Sequence, residues 1–223
     1  GMTPPPRLSR RMASLTEAEI NAAVERVWSH ILALHQANGS AGRGADAAYA
    51  HRRLPAAHVA RSLQDELRKM PERNRLDFSI ALGLTVARRL GATDAKRLFA
   101  REIFPLLKKA LTFSRTEHRE MRAFRLQIER ERGAYAQTVL SPEEQVDLLS
   151  RYVETNLACI LFGWVLVKAL RSVPSDAPEA VRADAVARAR STCGTILDES
   201  WAAFDRREFC GWESDARAIP SFS

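Results

Sequence analysis

The chain has 223 residues, of which 46% are hydrophobic and 27% charged, and its formal net charge is +7. That composition is too apolar for a disordered chain and long enough for a sizeable core. Three cysteines, Cys159, Cys193 and Cys210, form neither a disulfide framework nor a zinc knuckle, which points to a reducing compartment.

Gly1 ahead of Met2 reads as a remnant of expression cloning, and residues 1–14 as a flexible tail. Arg7, Arg10 and Arg11 lead into no apolar stretch of the kind a secretory signal requires. Thr16 and Glu19 have the spacing of a capping box, in which each satisfies a backbone N–H of the other. Beyond them Ile20, Val24, Val27, Ile31 and Leu34 recur at helical period and predict one buried stripe, closed by Asn38-Gly39. Residues 39–54 hold three glycines and the pair Arg52-Arg53 and read as a mobile loop with a short helical turn near 45–50.

Pro55 suits the first position of a second helix, to about Met70, with Val59, Leu63 and Leu67 inward. A third spans 73–90 on Leu76, Ile80, Leu84 and Ala87 and ends at Gly91. Asp94 caps a fourth through about Leu111, whose apolar residues are Leu98, Phe99, Ile103, Leu106 and Leu107. Pro105 lies inside it; lacking an N–H and clashing with the preceding turn, it predicts a kink or a split. Ser114 and Glu117 repeat the capping box and open the most polar helix, 115–132, where Met121, Phe124, Leu126 and Ile128 are the apolar residues and Gly133 ends or loosens the helix.

Ser141-Pro142-Glu143-Glu144 combines a cap, a first-position proline and first-turn acids, and so starts a helix over 142–173. From Leu157 to Val167 that helix is continuously apolar. A bilayer needs about 20 such residues, and Asn156 and Lys168 flank this run, so it reads as a buried core helix and not a membrane span. Gly163 marks where a neighbouring helix packs closest. Pro174 and Pro178 break the chain before a last helix over 179–209, whose stripe runs through Val186, Ala189, Cys193, Ile196, Leu197, Trp201 and Phe204; residues 211–223 read as a loose tail.

With no convincing strand and no fixed-period repeat, the fold class is all-α: a single bundle of about six to eight helices over residues 15–210, centred on the apolar helix. Signals of function are sparser. Residues 43–140 carry 21 basic and 11 acidic side chains, net +10, a field that attracts acidic proteins or nucleic acid. Within it, Ala87, Gly91 and Thr93 resemble the turn of a helix-turn-helix over 86–101, which would aim Thr93, Lys96, Arg97 and Arg101 at DNA. Arg97 departs from that pattern, because the middle of the second helix is ordinarily apolar. Arg115, Arg119 and Arg122 lie near one face of the polar helix, with glutamates interleaved, as on a solvated or partner-facing surface.

No Glu-x-x-His or His-Glu-x-x-His pattern occurs, His30 and His35 fall off a common face, and the glycines at 39–44 neither follow a strand nor precede Gly-Lys-Ser/Thr. No cofactor or metal is therefore expected. These features describe a non-enzymatic interaction or regulatory protein of a bacterial cytoplasm, with a protein partner or a second copy of itself. The alternatives are a nucleic-acid-binding regulator using 86–101, or a ligand binder or enzyme with a pocket near Trp164 and Trp201.

Overall fold

A computed structural model describes residues 13–40, 45–90, 92–136, 157–189 and 191. These residues are helical apart from their connections, with no strand among them, as the periodicity predicts. The chain divides into two compact units, Gly1–Thr112 and Phe113–Ser223.

In the first unit, α1 (Glu17–Ser40) opens on the expected capping box. The Glu19 N–H donates to Thr16 Oγ1 at 3.2 Å and the Thr16 N–H donates to Glu19 Oε1 at 3.1 Å. Ile20, Val24, Val27, Ile31 and Leu34 are all buried, each contributing about 1.5–3 kcal/mol by leaving water. They pack against α2 (Ala45–Lys69) and α3 (Glu72–Arg89). Val59, Leu63 and Leu67 of α2 face inward as their spacing predicts.

The start of α2 differs from expectation. Helix begins at Ala45, so 45–54 is not loop and Pro55 lies inside the helix. The run Ala45-Asp46-Ala47-Ala48-Tyr49-Ala50 is rich in the best helix former, and its propensity outweighs the one backbone bond that Pro55 cannot make.

α3 is also oriented differently. Phe78, Leu82 and Val86 are fully buried and Leu76 and Ile80 nearly so, whereas Leu84 and Ala87 are half-buried. Because α3 touches α1 on one side and the following helices on another, one apolar stripe does not describe it. Its two buried polar side chains each make a hydrogen bond. Asn74 Oδ1 accepts the Leu15 N–H at 3.0 Å, tying the entry of α1 to α3, and Ser79 Oγ donates to the Arg75 carbonyl at 2.7 Å.

Pro105 splits the fourth helix, as predicted, by way of a wider turn. α4 (Ala92–Leu98) passes into a π-helical turn, Phe99–Ile103, and then α5 (Phe104–Ala110). The Phe104 N–H reaches back five residues to the Phe99 carbonyl, and Pro105 falls in the opening turn of α5, where no N–H is needed. Asp94 sits within the first turn of α4 instead of capping it. Ala95, Phe99, Ile103 and Leu107, spaced by four, are all buried, a line that a pure α-helix would wind around its axis.

In the second unit, α6 (Arg115–Ala136) continues through Gly133, which does not end it. α7 (Leu157–Arg171) is the apolar helix; the segment 142–156 assigned with it falls outside the described residues. Leu157, Cys159 and every residue from Leu161 to Val167 are buried, and no helix among the described residues is long and apolar enough to cross a membrane. Phe124 of α6 lies on Phe162 with ring centroids 3.9 Å apart. Gly163 does meet a neighbour, Met121 of α6, and a methyl added there would stand 3.7 Å from its Cγ and Sδ, an ordinary contact and not an obligate close approach. A further helix, α8, described over 179–189 and at 191, buries Ala185 and Ala189, with Val186 half-buried; Trp201, Cys193, Cys210 and the tail 211–223 lie outside the described residues.

Candidate interaction surfaces

The α6 capping box repeats that of α1: the Ser114 N–H donates to Glu117 Oε1 at 2.8 Å and the Glu117 N–H to Ser114 Oγ at 3.1 Å. Glu117 has a second role. Arg171, at the end of α7, donates from Nε to Oε2 at 2.7 Å and from Nη2 to Oε1 at 3.2 Å, a bidentate pair. Burial pushes the Glu117 carboxyl up, but the Arg171 hydrogen bond and charge together with the Ser114 N–H outweigh it and hold it below the usual range. One turn on, Glu120 lies 3.8 Å from Arg182 of α8.

These contacts sort the charges of α6. Its interleaved acids at 117 and 120 turn toward arginines of the same unit, and Met121 and Phe124 turn toward α7. Arg115, Arg119 and Arg122 stay exposed, and none of the three has an ion-pair partner among the described residues. The next member of that row, Leu126, is 46% exposed. Sequence reading found the three arginines but missed that, among the described residues, Glu117 and Glu120 turn to arginines of the unit while Arg115, Arg119 and Arg122 face out. It also missed Leu126, counted there with the apolar residues of the helix. The spacing of 115, 119, 122 and 126, one helical stripe, was the available signal.

The helix-turn-helix-like segment is less complete. Arg97 and Arg101 are exposed, one on α4 and the other on the π turn. Thr93 and Lys96 belong to the α4 backbone, and their side chains lie outside the described set. Because the turn is wide, positions four apart line up on the outside as well: Arg97, Arg101, Pro105 and Lys109 are all exposed, with Lys108 beside them. The basic face therefore continues past residue 101, which the motif alone does not reveal.

Elsewhere the polar pairs serve the fold. Glu66, 6% exposed, receives both Nε and Nη2 of Arg26 at 2.7 and 3.0 Å, joining α1 to α2. Arg89 pairs with Glu25 and holds its carboxyl low by hydrogen bonding, while its guanidinium lies 5.0 Å from the Trp28 ring centroid. His30 meets His58 edge to face at 6.0 Å, and the described residues contain no group of three or more His, Cys, Asp or Glu placed to hold a metal. Trp164 is buried in α7; its suggested pocket partner, Trp201, is outside the described residues.

No protein-family model matches the chain. Neither a curated protein nor a solved structure matches it either.

Proposed function

We propose that the chain is a non-enzymatic interaction protein that docks an acidic protein partner on the outer face of α6. The observation that carries this reading is the sorting of charge on that helix: Glu117 and Glu120 are engaged inside the unit, and three arginines are left facing out in one row. Arginine is favoured at protein interfaces because its planar fork binds carboxylates bidentately and is weakly hydrated for a cation. Placement in a bacterial cytoplasm is part of the proposal and rests on 29 arginines against five lysines, the codon usage of a GC-rich bacterial genome, and on the three unpatterned cysteines.

The test is affinity capture from the native host with the wild type and an Arg115→Glu/Arg119→Glu/Arg122→Glu variant in parallel, followed by reconstitution with the purified partner. Binding that weakens with salt and disappears in the variant is expected. Equal binding by both proteins would sink the proposal.

A second reading, nucleic-acid binding, is favoured by the outer line of Arg97, Arg101 and Lys109. It predicts a gel shift that weakens steeply with salt and is lost in Arg97→Glu/Arg101→Glu. Unchanged migration at low salt removes it.

A further inference from the structure

Resting on the reading of α6 as a docking face, we infer that its occupant is itself a helix, with acidic side chains at i, i+4 and i+7 and an apolar side chain at i+11. Arg115, Arg119, Arg122 and Leu126 climb α6 in steps of four, three and four residues. At about 1.5 Å per residue the row is about 16 Å long and stays within a narrow arc of the helix surface.

A partner must repeat at the same interval to face every member. A second helix does so, whereas an extended strand presents same-side residues about 6.6 Å apart and slips out of step along the row. Leu126 decides against a phosphate backbone. At 46% exposed it continues the arginine row with an apolar group, useful against a protein side chain and useless against a phosphate. A second copy of this chain fits poorly, because a two-fold contact of the face with itself sets arginine against arginine. The remaining fit is an acidic amphipathic helix from another protein, with carboxylates on the three guanidinium forks and an apolar residue on Leu126.

Fluorescence anisotropy on the full chain tests this with three labelled probes. These are a helical peptide with Glu at positions 1, 5 and 8 and Leu at 12, a peptide of equal composition and helicity with those spacings scrambled, and a 20-base-pair DNA duplex. The matched peptide is expected to bind roughly tenfold more tightly than the scrambled one, the combined effect of three exposed pairs and one apolar contact. That margin should vanish in the triple glutamate variant and fall by part in Arg119→Glu alone, with both variants shown to be folded by circular dichroism. Equal binding of the two peptides, lost in the triple variant, would overturn the helical register and leave the acidic-partner reading standing. Peptide binding that the triple variant does not change would overturn both. Duplex binding tighter than either peptide, and lost in the triple variant, would assign the row to nucleic acid instead.

Discussion

α1 and α6 both begin on a reciprocal capping box, Thr16 with Glu19 in one and Ser114 with Glu117 in the other, yet the two glutamates have different surroundings. Glu19 is exposed and bonds with Thr16, a local arrangement that completes the helix start. Glu117 is only 15% exposed at its side chain and also holds Arg171 across the unit. The remainder of each helix follows suit. α1 sinks a five-residue apolar stripe into the core of the first unit, whereas α6 has few apolar anchors and turns a charged row outward. The same local grammar thus starts a helix that holds a fold together and a helix that presents a surface.

The contrast can be broken at several points. The largest effect is expected in the α1 stripe: Ile31→Ala removes a fully buried side chain and should destabilise the protein by about 2–5 kcal/mol in denaturant unfolding. A loss below about 1 kcal/mol would mean that the stripe is not the core it is taken to be. Next comes Glu117→Gln, which keeps the capping acceptor but loses the charged pair with Arg171 and is expected to cost on the order of 1 kcal/mol at neutral pH, against less for Glu19→Gln. Because the folded carboxyl of Glu117 is held low, its contribution is complete above the ordinary glutamate value of about 4.3 and is lost as pH falls through the lowered folded value. The gap between wild type and Glu117→Gln in thermal melts should therefore narrow on acidification below that range. A gap that widens would show that the pairing with Arg171 has the opposite sign.

Smaller and opposite in direction is Gly163→Ala. The added methyl meets Met121 at an ordinary distance, so helix propensity should dominate and stabilise by up to about 1 kcal/mol. A loss would place α6 and α7 closer than that contact implies. Smallest of all, alanine at Arg115, Arg119 or Arg122 should shift stability by no more than about 0.5 kcal/mol each, as expected for exposed side chains. Any loss of binding in those variants then reports on the surface and not on folding.

Much of this was readable in the chain. Capping boxes are local, so Thr16–Glu19 and Ser114–Glu117 declared two helix starts, and the α1 stripe followed from period alone. Pro105 announced a break because it lacks an N–H and crowds the preceding turn, although α2 runs on through Pro55. Where burial comes from more than one side, period is a poorer guide: α3 turned Phe78, Leu82 and Val86 inward in place of Leu84 and Ala87. The partition of charge on α6 was out of reach for a related reason. Glu117 and Glu120 find Arg171 and Arg182, 54 and 62 positions along the chain, and nothing near them in sequence says so.

The π turn at Phe99–Ile103 bears on how this chain can change length. In a regular helix, inserting one residue rotates everything downstream by about 100° and throws the buried face into solvent. Here one extra residue is absorbed inside a single wide turn, so Ile103 and Leu107 remain in line with Ala95 and Phe99. The surplus residue and Pro105 are coupled. Deleting Ala100 alone would restore ordinary pitch and drive the proline ring into the preceding turn, whereas the same deletion with Pro105→Ala gives an uninterrupted helix in the same phase. A relative of this protein that lacks the proline is therefore free to be one residue shorter at this point, and an alignment that forbids the gap would shift every position after it.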